Sequence, residues 1–496
     1  MTVRYVASPT LARFHKSDAF VRGLMGPIGS GKSTGCCWEI FRRAQEQEPD
    51  ANGVRRTRWA VIRNTYRELA DTTHKTWETW FGDDKLGRWF PADMTHAMSF
   101  SLNDGTRVEA EVLFRALDRP QDVKKLLSLD LTGAWVNEAR EVPKAVIDAL
   151  QGRVGRYPAQ KDGGPSWFGV IMDTNPPDGD HWWAVLAEKD TSTPSNRELV
   201  ESIEQTAAEL RGKGLLSDGQ ELFEFFRQPG GEAKDGENIA NLIPGYYTRL
   251  KAGKRREWIK VYIEGEYGFV SDGRAVFPEF RTHVHTRAGL KADKKRTVYV
   301  GLDFGLTPAA TFGQRDHSGR WQVVHEVTTE NMGAVRFAEL LKRDIAEVFP
   351  GCKFEITGDP AGDDRSQVDE RTAFMVLRAA GVEARPAPSN DPTIRIEAVA
   401  KTLGRLIEGE PGLLIDSDCK MLIKGMAGGY NYKRLQVAGD ERFHDKPDKN
   451  RFSHVCDALQ YMLLGAGEAE SILYPPDEEQ EPSVTFEIGR SAVGGY

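Results

Sequence analysis

Cysteine is scarce in this sequence. The 496 residues contain five cysteines, and these are Cys36, Cys37, Cys352, Cys419 and Cys456. An odd number at irregular spacing excludes a disulfide framework as the basis of the fold, and the absence of a CxxC pair excludes the common zinc-site pattern. The sequence also has no run of about 18 apolar residues, and its first residues lack the apolar core of a secretory signal. We therefore expect a soluble protein of a reducing cytoplasm.

An excess of positive charge is missing as well. Lys and Arg number 66 against 74 Asp and Glu, and the resulting net charge of −8 argues against a protein that coats nucleic acid. The charge is uneven, because residues 466–496 hold seven acidic residues and one basic residue, so the rest of the chain carries only −2. That terminal segment is rich in Pro, Glu and Gly, and we predict it to be a mostly disordered tail.

The length and the apolar content predict more than one domain. A chain of 496 residues, 40% of them hydrophobic, is about three times the size of an average domain. Loop-like composition near residue 200 and across residues 281–296 marks two boundaries. We predict an N-terminal domain over residues 1–200, a helical lid or linker over residues 201–290, a C-terminal domain over residues 291–465 and the tail over residues 466–496.

A phosphate-binding pattern, GxxxxGK[ST], follows the first apolar stretch and precedes a predicted helix. The loop and the residues that open the helix are Gly26, Pro27, Ile28, Gly29, Ser30, Gly31, Lys32, Ser33 and Thr34. Glycines allow backbone N–H groups to surround phosphates, Lys32 supplies a positive charge, and the Ser33 hydroxyl can bind Mg²⁺. The pattern predicts a site for ATP with Mg²⁺.

Hydrolysis of a nucleotide also needs an acidic residue that organises the metal and a group that orients water. The segment GAWVNE reads as a short buried strand, 134–136, which is followed by Asn137 and Glu138. Glu138 is placed to polarise the attacking water, whereas Asn137 stands where Asp is usual. An amide can hydrogen-bond a Mg²⁺-bound water but adds no charge, so we expect the metal to depend more on Ser33 and the phosphates.

Two further segments supply weaker signals for the same site. The apolar run that ends in MDTNPP predicts a strand followed by Thr174 and Asn175, which could sense the terminal phosphate or form an ordinary turn. The strand WAVIRN carries Arg63, which could face the nucleotide or pair on the surface.

Three aspartates form a second candidate site. Asp303 ends an apolar strand of a predicted three-strand meander, Asp359 follows a second apolar strand, and Asp457 lies on a helix with apolar residues at helical spacing. Such carboxylates can converge on two divalent ions, Mg²⁺ or Mn²⁺, that activate water for phosphodiester hydrolysis, although each alone is more often a cap or turn residue. The possible auxiliary residues are Asp363, Asp364 and Asp448, and His454 is a possible proton carrier.

The succession of motifs resembles the large terminase subunit of tailed bacteriophages. In order they are GPIGSGKST, GAWVNEARE, MDTNPP, WIKVYIEGEYG, VGLDFG, TGDP and FSHVCDALQY, and the resemblance runs from about residue 11 to residue 466. It implies an α/β fold in two parts. The first is a P-loop NTPase domain with a mostly parallel sheet flanked by helices, and the second is an RNase H-like nuclease domain.

The resemblance also implies roles for residues. Lys32 and Ser33 would bind phosphate and Mg²⁺, Glu138 would be the catalytic carboxylate, Thr174 and Asn175 would form the coupling motif, and Asp303, Asp359 and Asp457 would bind the nuclease metals. The family uses an arginine finger, and the candidates Arg63, Arg119, Lys124 and Lys125 leave that role open.

The implied activity is that of a motor that threads double-stranded DNA through the portal protein into a procapsid and cuts the concatemer. The implied partners are DNA, the portal, a small terminase subunit and further copies in a ring, a pentamer by resemblance. The protein would work in the cytoplasm of the bacterial host and transiently at the portal vertex, without a membrane. Two alternatives remain, an ATP-driven helicase or recombination nuclease acting on cellular DNA, and a nucleotide-gated docking protein.

Overall fold

The structure is a computed structural model that describes residues 4–82, 86–117, 124, 126–270, 273–305, 307–363, 372–433 and 443–468. The chain forms two compact units, Met1–Val270 (unit 1) and Ser271–Tyr496 (unit 2). Most of the predicted disordered tail, residues 469–496, lies outside the described residues. No helix in the described ranges is long and apolar enough to cross a membrane. All five cysteines are free thiols.

Unit 1 alternates strands with helices. Its strands are β1 Val21–Met25, β2 Val54–Arg63, β3 Gly87–Phe90, β4 Thr95–Ser101, β5 Arg107–Ala116, β6 Gly133–Asn137, β7 Gly169–Thr174 and β8 Phe223–Arg227. Its helices are α1 Pro9–Lys16, α2 Lys32–Glu46, α3 Tyr66–Glu68, α4 Lys75–Phe81, α5 Lys144–Gln151, α6 Trp182–Ala187, α7 Pro194–Gly212, α8 Tyr246–Leu250 and α9 Arg256–Tyr262.

These strands form one sheet in the order β3-β4-β5-β2-β6-β7-β1-β8. Six neighbouring strands run parallel to one another, namely β5, β2, β6, β7, β1 and β8. Strands β3 and β4 extend the sheet with antiparallel pairing. Every residue of β1, β6 and β7 is buried, which is expected for strands covered by helices on both faces. The carboxyl ends of β1, β6 and β7 therefore meet at one edge of the sheet.

The predicted α/β character of the N-terminal part is confirmed, with a mostly parallel sheet and a strand, loop and helix at the phosphate-binding pattern. Residues 201–290, predicted as a lid or linker, fall partly in unit 1 and partly in unit 2. Within them, β8 pairs with β1 as an edge strand of the sheet. The four-part division of the chain into motor, lid, nuclease and tail stays a prediction.

Unit 2 has a second sheet and its own helices. Its strands are β9 Arg274–Ala275, β10 Thr286–Arg287, β11 Thr297–Asp303, β12 Ala309–Arg315, β13 Trp321–Thr328, β14 Lys353–Gly358, β15 Arg385–Pro386, β16 Leu406–Ile407, β17 Glu410–Pro411, β18 Leu413–Asp416 and β19 Asn431–Tyr432. Its helices are α10 Thr282–His285, α11 Ala334–Val348, α12 Ala373–Ala379, α13 Pro392–Gly404, α14 Lys420–Lys424 and α15 Ser453–Gly465.

The main sheet of unit 2 has the order β10-β18-β13-β12-β11-β14-β15. The predicted meander is confirmed, because β12 pairs antiparallel with both β11 and β13, while β14 runs parallel to β11. Helix α15 packs on β11 at Gly301, where a Cβ atom would overlap the carbonyl oxygen of Ala458. Only glycine permits this approach, which brings the helix that carries Asp457 against the strand that ends at Asp303.

Candidate active sites

The phosphate-binding pattern forms a loop between β1 and α2. Gly29 and Gly31 have φ angles of +76° and +84°, in the left-handed region that favours glycine. Side chains from later in unit 1 hold the loop by its carbonyl groups. Gln228 Nε2 donates to Ser30 O at 3.0 Å, Asn238 Nδ2 donates to Gly29 O at 2.7 Å, and the Tyr247 hydroxyl donates to Ile28 O at 2.7 Å. The loop conformation is therefore fixed by residues beyond β8 as well as by its own glycines.

Lys32 opens α2 and points into this loop. Its ammonium group donates to Pro27 O at 2.7 Å, to Gly26 O at 3.0 Å and to Asn175 Oδ1 at 3.2 Å. Burial lowers the pKa of Lys32 because a charged group loses hydration there. An anion in the loop would offer this buried ammonium group stronger acceptors than neutral carbonyls.

Asn175 connects Lys32 with Glu138. While its Oδ1 accepts from Lys32, its Nδ2 donates to Glu138 Oε1 at 3.3 Å and its backbone N–H to Glu138 Oε2 at 3.4 Å. Glu138 has a φ angle of +52°, an unfavourable value for a non-glycine residue, and Arg140 Nε lies 3.9 Å from its carboxylate. Thr174 is fully buried, and its hydroxyl donates to Asn175 O at 2.9 Å. The structure thus brings Lys32, Glu138, Thr174 and Asn175 together.

Asn137 ends β6 in register with Asp173 on β7. Its Nδ2 donates to both oxygens of Asp173, at 2.9 and 3.1 Å, and to Ser33 Oγ at 3.3 Å. Its Oδ1 accepts from the Thr73 hydroxyl at 2.7 Å and from Arg63 at 3.3 Å. These partners fix the orientation of the amide, so that its nitrogen faces the carboxylate and the serine.

Asp173 is a residue of this site that the sequence reasoning missed. It is fully buried, and it accepts from Ser33 Oγ and from Trp135 Nε1, both at 2.8 Å. Burial raises its pKa, and the negative charge of Glu138 raises it further. A local signal is that Asp173 directly precedes Thr174 at the end of a buried apolar run, but its place beside Asn137 depends on strand order.

The candidates for an arginine finger stay unassigned. Arg63 is largely buried and, besides its contact with Asn137, lies 3.5 Å from carboxylate oxygens of both Glu68 and Glu141. Lys124 is exposed, whereas Arg119 and Lys125 lie outside the described residues.

In unit 2, Asp303 and Asp359 lie at the ends of adjacent parallel strands. Asp303 ends β11, Asp359 directly follows β14, and the backbone N–H of Asp359 donates to Leu302 O at 3.0 Å. Burial raises the pKa of Asp303, the hydrogen bond from His454 lowers it, and the charge of Asp457 raises it. His454 Nδ1 lies 2.6 Å from Asp303 Oδ2, within reach for proton exchange.

Asp457 is fully buried on α15, and its carboxylate is balanced by cations. It contacts the ammonium group of Lys449 directly, and Arg395 NH1 lies at 3.7 Å. The Tyr430 hydroxyl donates to it at 2.9 Å and Gln460 Nε2 at 3.1 Å. Sequence reasoning missed Lys449, Arg395 and Tyr430, because they come from three separate segments.

The Tyr461 hydroxyl on α15 donates to Asn390 Oδ1 at 2.8 Å, and Tyr461 also experiences the charge of the remaining aspartate. Burial raises the pKa of Tyr461, and the carboxylates of Asp359 and Asp303 raise it further. All three predicted aspartates therefore lie around the contact of β11, β14 and α15. Asp448 instead pairs with Lys433 at 2.9 Å, and the side chains of Asp363 and Asp364 lie outside the described part of the chain.

The donors of unit 2 suit a divalent ion by type, because Mg²⁺ and Mn²⁺ prefer carboxylate oxygen. Their arrangement is not that of a closed metal site, since no group of three or more His, Cys, Asp or Glu side chains in the described ranges is placed to hold a metal. Lys449 and His454 take the positions beside Asp457 and Asp303. In unit 1 a nucleotide-bound Mg²⁺ would need fewer protein ligands, since phosphates and water supply most of its shell.

The chain matches no protein-family model and no curated protein. Solved structures similar to it include the large terminase of a thermophilic bacteriophage in complex with ADP, at 16% identity over 94% of this chain and 100% of that chain, with a TM-score of 0.39. The large terminase of bacteriophage HK97 is 12% identical over 94% of this chain and 95% of that chain, with a TM-score of 0.37. The nuclease domain of the P22 large terminase is 13% identical over 39% of this chain and 93% of that domain, with a TM-score of 0.30. These values describe a distant likeness, so we infer function from the residues of the two sites.

Proposed function

We propose that this chain is the large subunit of a phage terminase, an ATPase that drives double-stranded DNA into a procapsid and a metal-dependent endonuclease that cuts the concatemer. The observation that carries the proposal is that one chain holds two distinct sites. In unit 1, Lys32 of the phosphate loop is linked through Asn175 to the carboxylate of Glu138, which directly follows β6. Unit 2 has aspartates at the ends of two parallel strands and on the helix packed against them.

In unit 1 the loop from Gly26 to Gly31 would bind the phosphates of ATP, and Lys32 would leave its carbonyl partners for the terminal phosphate oxygens. Bound Mg²⁺ would offset the negative charge that builds up during phosphoryl transfer. Glu138 would orient the attacking water and draw its proton. Because Asn175 touches both Lys32 and Glu138, loss of the terminal phosphate would change its hydrogen bonds, which is how a coupling residue would pass on the nucleotide state.

In unit 2 Asp303, Asp359 and Asp457 would hold divalent ions, Mg²⁺ or Mn²⁺. The ions would supply an activated water and stabilise the leaving oxygen of the phosphodiester. His454 is placed at Asp303 to carry a proton. The proposed partners are double-stranded DNA, the portal protein, a small terminase subunit and further copies of the chain in a ring, and the proposed place of work is the host cytoplasm and the portal vertex.

Separate inactivation of the two sites tests the proposal. Glu138→Gln should lower ATP turnover at least about 100-fold, since it removes the group that orients and deprotonates water, and should leave Mg²⁺-dependent DNA cutting intact. Asp303→Ala should abolish cutting and leave ATP turnover intact. Purified variants are compared by phosphate release and plasmid cleavage. Loss of both activities in both variants, with unfolding temperatures equal to that of the wild type, would refute the two-site arrangement.

The type of DNA transaction is tested with portal-bearing procapsids. Packaging of DNA into a nuclease-resistant form, dependent on Glu138, is the expected result. Unwinding of a forked duplex without packaging would instead identify a helicase or recombination nuclease. Absence of both, with no divalent-dependent nicking, would leave a nucleotide-gated docking protein.

A further inference from the structure

In the phosphate-loop site the last residue of β6, which precedes Glu138, is not acidic. Asn137 occupies that position, and its amide nitrogen, a donor, faces Ser33. A donor cannot bind a metal cation. Its amide oxygen is already engaged by Thr73 and Arg63. Asn137 is therefore poorly placed to be the protein ligand of a nucleotide-bound Mg²⁺.

We propose that Asp173, on the neighbouring strand β7, is the carboxylate that binds the Mg²⁺ of the nucleotide together with the Ser33 hydroxyl. This inference rests on the ATPase function proposed above for the same site. It moves the acidic metal-binding position from the end of β6 to the end of β7, one strand closer to the phosphate loop.

The sheet order makes this exchange possible. Strand β7 lies between β6 and β1, so Asp173 is in register with Asn137 on one side and with Leu24 on the other. The phosphate loop begins two residues after Leu24. Asp173 Oδ2 already accepts from Ser33 Oγ at 2.8 Å, which places the carboxylate beside the hydroxyl that the motif assigns to the metal.

The charge around Asp173 also indicates a missing cation. Its direct donors are Ser33, Trp135 and Asn137, all of them neutral. In the described ranges, no Lys, Arg or His forms an ion pair with it. The charge of Lys32 acts on it without direct contact, because the Lys32 ammonium group is bonded to loop carbonyls and to Asn175. A fully buried carboxylate without a direct ion pair is costly, and binding a divalent cation would offset that cost.

Another fully buried carboxylate of unit 1 shows how this fold treats such a group when no ligand is expected. Glu39 on α2 is paired with Arg22 at 2.7 Å, with Arg42 and Arg43 at 2.9 Å, and with His15 at 2.7 Å. Asp173 has neutral donors where Glu39 has cations. The contrast fits a structural role for Glu39 and a ligand-binding role for Asp173.

Asn137 then acts as a positioning residue for Asp173. Its amide nitrogen donates to both carboxylate oxygens, while Thr73 and Arg63 hold the other end of the amide. The two positions form a pair in which one side chain carries the charge and the other orients it. Exchanging the two residue types should therefore preserve the site.

The test uses the full chain and measures binding of ADP and Mn²⁺ in place of turnover. A fluorescent ADP titration is run with Mg²⁺ and with EDTA, and bound Mn²⁺ is counted by electron paramagnetic resonance in the presence of ADP. In Asp173→Asn we expect Mn²⁺ to bind the ADP complex about 10–100-fold more weakly, a loss typical of altered metal shells, with ADP binding in EDTA within about 2-fold of the wild type. The double variant Asn137→Asp/Asp173→Asn should recover most of the Mn²⁺ affinity.

Asp50→Asn is the matched control. Asp50 also accepts hydrogen bonds, from the backbone N–H groups of Asn52 and Val54, and it pairs with Arg56, but it precedes β2, and the ten residues of that strand separate it from the site edge by roughly 30 Å. Its Mn²⁺ affinity should equal that of the wild type.

Mn²⁺ affinity of Asp173→Asn within about 2-fold of the wild type would overturn the inference and leave the ATPase proposal standing. If Asp173→Asn does not fold, the double variant decides, because a folded double variant without Mn²⁺ binding equally overturns it. A wild-type chain that binds no ADP would refute the ATPase function and this inference together.

Discussion

Asp173 in unit 1 and Asp457 in unit 2 are both aspartates with fully buried side chains. They differ in what balances their charge. Asp173 accepts hydrogen bonds from a hydroxyl, an indole and an amide, whereas Asp457 contacts Lys449 and lies 3.7 Å from Arg395. Asp457 thus has direct cationic partners, whereas the direct partners of Asp173 are all neutral, and a metal proposed at Asp457 would have to displace the ammonium group of Lys449.

The two sites also differ in what holds their backbone. The site of unit 1 is built from the ends of parallel strands that pair residue by residue. The site of unit 2 needs a helix against a strand, and Gly301 makes that contact possible. A methyl group added at Gly301 should therefore disable the site of unit 2 and leave the site of unit 1 working.

Gly301→Ala should have the largest effect. The added Cβ would overlap backbone atoms of α15, with Met462 N only 2.6 Å away, and backbone cannot move aside as a side chain can. We expect unit 2 to lose about 3 kcal/mol of stability, together with DNA cutting, while ADP binding by unit 1 persists. Calorimetric unfolding and fluorescent ADP titration measure the two effects.

Gly313→Ala provides the control for this change. Gly313 lies on the neighbouring strand β12 and faces the same helix, but its Cβ would meet mainly the end of the flexible Met462 side chain, with Cε at 2.9 Å, and its nearest backbone atom, Gln322 O, lies at 3.2 Å. It should cost about 1 kcal/mol or less. Equal losses in the two variants would show that backbone contact between helix and strand is not what builds the second site.

Sequence reasoning reached the residues whose positions follow from local patterns. The position of Lys32 follows from the glycine pattern before it. Glu138 and Asn175 each follow a buried apolar run, so parallel pairing of the two strands brings them to the same edge of the sheet. Asp303 and Asp359 were found in the same way. The helix with Asp457 was found from its apolar spacing.

Residues defined by long-range pairing could not be found from these patterns. The place of Asp173 depends on β7 lying between β6 and β1, and a single sequence does not contain strand order. Lys449 reaches Asp457 from an irregular segment before α15, where no periodicity restricts its position. Strand β8 was missed as part of the sheet because its neighbours in sequence are loops and helices.

Acid should affect unit 1 through a buried histidine. His96 on β4 is buried, and its Nδ1 accepts from Trp77 Nε1 at 3.0 Å, so a proton on Nδ1 would replace an acceptor with a donor. Burial and, to a lesser extent, the nearby His74 together lower its pKa to about 4. An unfolded histidine has a pKa of about 6.5, so the unfolded chain binds the proton more tightly and the stability of unit 1 falls as the pH drops from 6.5 towards 4.

The loss should reach about 2 kcal/mol, after allowance for partial hydration of the ring. Urea unfolding at pH 7 and pH 4.5, followed by tryptophan fluorescence, measures it, because ten of the eleven tryptophans belong to unit 1. His96→Gln keeps an acceptor for Trp77 without titrating, and it should reduce the difference between the two pH values. If the free energy of unfolding differs between pH 7 and pH 4.5 by as much in His96→Gln as in the wild type, the acid sensitivity belongs to other groups.

Lys449→Met should have the smallest effect and bears directly on the comparison of Asp173 with Asp457. The Lys449 side chain is 64% exposed, and Arg395 and Tyr430 remain at Asp457, so the loss of the ion pair should cost only about 1 kcal/mol without metal. With no ammonium group to displace, Mn²⁺ measured by calorimetry without nucleotide should bind unit 2 about 5-fold more tightly, since that factor corresponds to a competing pair of about 1 kcal/mol. Lys433→Met is the control, because Lys433 is equally exposed but pairs with Asp448, and it should leave Mn²⁺ binding unchanged. Weaker Mn²⁺ binding in Lys449→Met would mean that Lys449 supports the metal site. The contrast between Asp173, whose direct donors are neutral, and Asp457, whose cationic partner competes with a metal, would then no longer hold.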